Sequence, residues 1–173
     1  MDARTRREAT PTQERTTVER RSERELVVTR TIDGPAHMVF DAWTQPEQLK
    51  RWWVPRSVPI TMLSCEMDVR VGGSYRFVFQ VDPTTTMAFF GRYLEVSPPS
   101  RLVWTNEEGD GDAVVTTVTF DEDQGRTRLV VHDLYPSKDA LDGAIASEST
   151  AAWAEMLDQL EELLLDLGAS GGD

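Results

Sequence analysis

The chain predicts an α+β fold in which a strongly curved antiparallel sheet grips one long C-terminal helix. Three observations carry this. From Ser147 to Leu167 the residues Trp153, Leu157, Leu160, Leu164 and Leu167 recur at steps of three and four, one stripe of a helix that Met156 and Leu163 widen. Between Leu26 and Asp133 the chain is a run of short apolar and polar alternations cut by Gly, Pro, Asp and Ser, the pattern of hairpin-joined strands. The helical patterns stand apart from the strands, two short ones early and the long one last, which points away from a doubly wound sheet.

Taken in order, residues 1–24 are polar, mixed in charge and poor in aromatics, so they are expected to be disordered or loosely attached. The domain proper is expected over residues 25–168, with a flexible end at 169–173. Glu25 to Ile32 (ELVVTRTI) reads as the first strand, broken by Asp33-Gly34-Pro35. Val39, Phe40 and Trp43 share a helical face after Pro35, and a second short helix from Glu47 to Trp53 starts at Pro46 and ends before Pro55. Strands follow at Met62 to Met67, Ser74 to Val81, Thr86 to Val96, Arg101 to Asn106, Ala113 to Asp121 and Arg126 to Asp133, giving a sheet of about six or seven. Gly91 interrupts the third of these in character, and Glu107 to Asp112 reads as an acidic hairpin loop. Pro136-Ser137 offers a helix start, Gly143 loosens the turns before the long helix, and Gly168 stands where a C-cap glycine belongs. The face opposite the apolar stripe carries Glu148, Glu155, Asp158, Glu161, Glu162 and Asp166 with no basic residue, and is expected to be solvated.

Composition narrows the function. A chain of 173 residues with 39% hydrophobic content suits one domain with a real core. The net charge of -12 repels nucleic acid and anionic membrane, and seven of the 18 basic residues fall before Leu26, leaving the body more acidic still. A single cysteine, Cys65, leaves no internal disulfide and suits a reducing compartment. No apolar run is long enough to span a bilayer and no secretory signal opens the chain, so a cytoplasmic protein is expected.

The segments AWTQPEQLKRWWVP, EMDVRVGGSYRFVF, GRYLEVSPPSRLVWT, VVTTVTFDEDQGRTRLVVH and AAWAEMLDQLEELL, in this order and spacing, resemble the START-like (SRPBCC) superfamily. Within it they look most like the Aha-type family, homologues of the C-terminal domain of the activator of the heat-shock chaperone ATPase. The resemblance runs from about Glu25 to Leu167 and rests jointly on Trp52-Trp53, Gly72-Gly73, Gly91 to Glu95, Pro98-Pro99 and the Trp153 helix. It implies a helix-grip fold with a cavity between the concave sheet and the long helix, often occupied by an apolar or amphipathic small molecule. Ala152 stands where such proteins usually carry glycine, and its methyl is expected to take up space near the cavity mouth. The eukaryotic activators also carry a separate chaperone-binding domain, which the short tail here is not expected to supply. A chaperone link is therefore not transferred with the family.

The resemblance selects Phe40, Trp53, Tyr75, Phe77, Phe79, Phe90, Tyr93, Trp104, Trp153, Met156, Leu157 and Leu160 as cavity lining, with His132 and Arg92 as candidate polar anchors. Residue by residue, the same alternation describes an ordinary packed core, and only the resemblance raises a cavity above that reading. Trp52 and Trp53 point about 100° apart on a helix, so one is core and the other sits at a cavity rim or a partner surface. His37, His132 and Cys65 lack the spacing of a metal site, and no metal or cofactor is expected. His132-Asp133 resembles an acid–base pair, yet adjacent strand residues face opposite ways and would not meet. Arg76, Arg92, Arg101 and Arg128 alternate with apolar residues and belong on the outer face in surface ion pairs. One of them turned inward would anchor a ligand carboxylate. Ser137, Ser147 and Ser149 read as helix caps. No GxSxG, phosphate-binding or dinucleotide glycine pattern occurs, because Gly72-Gly73 is a hairpin turn.

Three functions remain, in order of support. The first is a binding module for a small apolar or amphipathic ligand, without catalysis. The second is a cyclase- or aromatase-like enzyme in the same cavity, marked by an inward polar cluster around Tyr93, His132 or an arginine. The third is a chaperone-linked interaction module with an exposed apolar patch near Trp52 or Trp53. A homodimer through the sheet edge or the paired short helices is compatible with each.

Overall fold

The computed structural model describes residues 16–107, 113–146 and 152–171, with the side chains of 169–171 left aside. Its eight described strands are β1 Thr16–Arg20, β2 Glu25–Ile32, β3 Thr61–Met67, β4 Ser74–Asp82, β5 Thr85–Ser97, β6 Arg101–Asn106, β7 Val114–Asp123 and β8 Arg126–Leu134. The helices are α1 Ala36–Thr44, α2 Pro46–Trp52, α3 Lys138–Ala146 and α4 Trp153–Gly171. All strands join one antiparallel sheet in the order β1-β2-β8-β7-β6-β5-β4-β3. No helix among the described residues is long and apolar enough to cross a membrane.

Local chemistry explains the connections. Asp123 pairs with Arg126, and the two residues between them, Gln124 and Gly125, have φ of 56° and 79°. A two-residue hairpin needs such positive φ values to match the twist of its strands. Gly91 does not break β5. A Cβ there would stand 1.8 Å from the Thr105 carbonyl oxygen, so glycine lets β5 and β6 approach. The first turn of α1 has Pro35 in the cap position, which offers no side-chain acceptor, and Glu122 Oε1 of β7 accepts from Ala36 N–H at 2.9 Å instead.

The core lies between the concave face and the helices. Val28 and Ile32 of β2, Val118 and Phe120 of β7, and Leu129 and Val131 of β8 meet Val39 and Phe40 of α1 and Leu157, Leu160, Leu163 and Leu164 of α4.

Four expectations are corrected. Residues 16–20 of the expected loose tail form the edge strand β1, while residues 1–15 lie outside the described residues. β1 buries almost no apolar side chain; its backbone ladder to β2 holds it, together with Thr16 Oγ1 accepting from Arg30 Nη1 at 3.0 Å. Instead of loosened turns, residues 138–146 form the separate helix α3 through Gly143. The expected start of the long helix at Ser147 lies outside the described residues, as do most of the acidic loop and residues 172–173. Gly168 is no C-cap, because α4 continues to Gly171 and so into the end expected to be flexible.

Candidate functional site

α4 meets the sheet in two unlike ways. Past its first turn it is locked. Period-two counting from Leu26 and Val28 turns Arg30 inward with Ile32, and its side chain is 0% exposed. Arg30 Nη2 lies 2.5 Å from Glu161 Oε1 and 2.7 Å from Asp158 Oδ1, and Nη1 donates to the carbonyl of Ala154 at 3.3 Å. Glu161 Oε2 also accepts from Asp33 N–H at 2.9 Å. Part of the acidic face expected to be solvated, around Asp158 and Glu161, is thus a docking face, while Glu162 and Asp166 stay exposed as expected. Glu155 accepts from Ser57, Glu162 pairs with Arg56 and Asp166 with Arg51, while Glu148 lies outside the described residues. Buried Gln159 donates to the carbonyls of Trp52 and Val54 and accepts from Arg56 N–H. That clamp fixes the loop after α2 and with it Trp53, Val54 and Pro55.

At its N-terminal end α4 stands off the sheet over an open cavity of about 560 Å³. Trp153 and Met156 of α4 form one wall, and Trp53, Val54, Pro55, Val58 and Ile60 form a second. The floor is the inward row of the sheet, including Phe79, Val81, Met87, Phe89 and Trp104. A smaller lobe of about 50 Å³ continues inward between Trp43, Leu49, Met67, Tyr75, Phe77, Tyr93 and Leu102. The five tryptophans form one connected cluster: Trp43 lies 4.8 Å from Trp52, 5.7 Å from Trp104 and 6.1 Å from Trp153, ring centre to ring centre, with Trp53 5.8 Å away. The indole N–H of Trp43 is buried with no acceptor among the described residues.

One end of the cavity is polar. The inward rows Leu102-Trp104 of β6, Phe120-Val118 of β7 and Leu129-Val131 of β8 run on to Asn106, Thr116 and Asp133, and Tyr135 follows β8 on the same side. Register places Thr116 directly opposite Asp133. The Tyr75 hydroxyl lies 2.7 Å from the Thr105 carbonyl and 3.0 Å from Asn106 Oδ1. Asn106 Nδ2 donates to Thr116 Oγ1 at 3.0 Å, and the Thr116 hydroxyl donates to Asp133 Oδ1 at 2.6 Å. Asn106 and Thr116 thus pass hydrogen bonds on toward Asp133, although Asn106 Nδ2 also serves the Val114 carbonyl and the Tyr75 hydroxyl lies closer to the Thr105 carbonyl. Burial nevertheless pushes the Asp133 carboxyl up to about 6, against the lowering effect of the Thr116 bond, and burial with the Asp133 charge raises Tyr135 to about 12. A carboxylate with one donor and little solvent is costly to ionise, yet at neutral pH it remains mostly ionised.

Of the residues expected to line the cavity, Trp53, Tyr75, Phe77, Phe79, Tyr93, Trp104, Trp153 and Met156 do so. Phe40, Leu157 and Leu160 are solid core, 5%, 0% and 0% exposed. Phe90 is corrected to the outer face and Phe89 lines the cavity, because Phe90 and Tyr93 are three apart and cannot share a strand face. The anchors are corrected too. Arg92 is next to inward Tyr93, so it faces out and pairs with Glu107 at 3.0 Å. His132 faces out and contacts Glu25 at 2.9 Å, which with the charge beside it lowers the Glu25 carboxyl. The count that placed Leu129 and Val131 inward puts Asp133, not His132, in the cavity. Ala152 packs on the core without lining the cavity, so its methyl takes no ligand space. Arg76, Arg92, Arg101 and Arg128 are all exposed. Trp52 is fully buried and Trp53 faces the cavity, so neither forms an exposed patch. Among the described residues no three His, Cys, Asp or Glu side chains gather as a metal site.

Solved structures share this architecture. Protein NE0264 of Nitrosomonas europaea is 27% identical, with a TM-score of 0.76 over 86% of this chain and 98% of its own. A Rhodobacter sphaeroides protein is 23% identical, with a TM-score of 0.80 over 88% of this chain and 99% of its own. The AHSA1-like protein of Aeromonas hydrophila, at 20% identity, gives 0.65 over 82% and 94%. The last two likenesses show the fold alone. No curated protein matches the chain. The model of the family described as "Activator of Hsp90 ATPase homolog 1-like protein" matches residues 33–165, from α1 through β3 to β8 and into α4, and the chain belongs to that family.

Proposed function

We propose that this protein binds one amphipathic small molecule in the cavity between the sheet and the start of α4. The observation that carries the reading is the cavity itself: about 560 Å³, aromatic along its length and polar at one end. That volume and that division of surface are what a ligand of roughly drug size requires. The lone Cys65 and the acidic composition suit a cytoplasmic setting. Native mass spectrometry of protein purified from its own host tests the reading. A bound mass of a few hundred daltons, on the order expected for such a volume, is the supporting result. Repeated absence of adduct, with no binding of a neutral fluorescent amphiphile, overturns it.

A second reading, catalysis in the same cavity, has one specific support. Asp133, with its carboxyl near 6, titrates close to neutral pH beside Tyr135, which is where a general acid or base works best. Comparing the molecule released from the protein with the one supplied separates the two: an unchanged molecule means binding alone.

A further inference from the structure

Resting on the binding reading, the cavity's charge pattern identifies the ligand's polar end. We propose that the ligand is an amphipathic amine, held with its apolar body among the tryptophans and its protonated nitrogen on Asp133.

The cavity wall contains one carboxylate and, among the described residues, no Lys, Arg or His. A ligand carboxylate or phosphate would meet repulsion with no cation to receive it. Asp133 Oδ1 is taken by the Thr116 hydroxyl, and Oδ2 has no hydrogen-bond partner among the described residues. Asn106 Nδ2 serves Thr116 and Val114 and Thr116 serves Asp133, while the Tyr135 hydroxyl and, in the inner lobe, the Trp43 N–H stay open among the described residues, and neither brings positive charge. What the site lacks is a positive charge, and what it has in excess is a negative one. A neutral hydroxyl would supply one hydrogen bond and leave the charge uncompensated. An ammonium supplies both, and charge-assisted bonds are about twice as strong as neutral ones. Trp104 and Trp153 line the same cavity and offer ring faces to a cation. The surroundings leave Asp133 as the charge that decides. Tyr135 is on its own side of β8, and His132 is on the outer face beside Glu25. Thr116 and Val114 come from β7, Asn106 from β6, and Trp153 and Met156 from α4, none of them ionisable.

Three fluorescent probes with one apolar body test this: dansylcadaverine with its ammonium end, the matching dansylaminopentanol, and the matching dansylaminohexanoate. Energy transfer from the tryptophan cluster to the dansyl group reports binding, at fixed and moderate salt so that the net charge of -12 is screened. The ammonium probe is expected to bind about tenfold more tightly than the alcohol, with the carboxylate weakest. Asp133→Asn is expected to remove that preference, lowering ammonium affinity about tenfold and changing alcohol affinity less than about twofold. In the unsubstituted protein, ammonium affinity is expected to fall as the pH drops below about 6 while alcohol affinity holds, a readout that does not depend on the variant folding. Equal binding of alcohol and ammonium, or a preference that survives Asp133→Asn, overturns the proposal and leaves the binding reading intact. If none of the three binds, the proposal falls, and the binding reading falls with it where native mass spectrometry also finds no adduct.

Discussion

The two halves of the α4 interface bury a charge in opposite ways. Around Arg30 the protein closes on it: Asp158, Glu161, Thr16 and the Ala154 carbonyl take its two terminal nitrogens, leaving only Nε without a partner among the described residues. Around Asp133 the protein supplies one hydroxyl and then leaves space. The first arrangement fixes the helix, because a buried ion with several partners tolerates little displacement. The second leaves an electrostatic cost in the free protein that a ligand of opposite charge would offset. A single amphipathic helix thus acts as structure over its later turns and as a cavity wall at its start.

This contrast can be broken at either end. The largest effect is expected for Arg30→Ala, which removes the cation shared by Asp158 and Glu161 and leaves a void; a loss of about 3–5 kcal/mol should appear in urea unfolding. A loss under about 1 kcal/mol would mean the lock is ornamental. Next comes Leu160→Ala in the sealed core, expected to cost about 2–5 kcal/mol. Asp133→Asn should act with the opposite sign. The folded carboxyl titrates near 6 and the unfolded one near its ordinary 3.8, so ionisation in the fold is unfavourable. The cost is fully present above about 6 and disappears below about 4. The variant is therefore expected to be more stable than the parent at pH 7, by at most about 3 kcal/mol, and equal to it near pH 4, as thermal melts across that range would show. A smaller loss is expected for Met156→Ala, which borders space that is already empty: less than half that of Leu160→Ala in the same urea series. Smallest of all, Arg92→Ala should leave probe affinity unchanged, since Arg92 is on the outer face with Glu107. A changed affinity there would move the site.

Much of this was legible from spacing. The stripe from Trp153 to Leu167 and the alternation of Tyr75, Phe77 and Phe79 both name their buried faces correctly, because burial imposes the periods 3.6 and 2 directly on the chain. Strand β1 was not legible: its residues bury little, so no periodicity marks them, and only backbone pairing to β2 makes them a strand. Arg30 and Asp133 were half legible. Each continues an apolar row at period two, Leu26-Val28-Arg30 and Leu129-Val131-Asp133, but a charged residue in such a row ordinarily marks where the row ends. Phe90 misled because an aromatic at the wrong parity looks as apolar as Phe89 beside it.

The sequence by itself determined the order of the elements from β2 onward and the antiparallel pairing, which are written in local periodicity and turn residues, and its motifs in their order carried the resemblance to the family. Only the tertiary structure decided which polar residues are buried and whether they find partners. Asp133 meets Thr116 and Arg30 meets Glu161 across 17 and 131 residues of chain, and the cost of an ion depends on what surrounds it rather than on its neighbours in sequence.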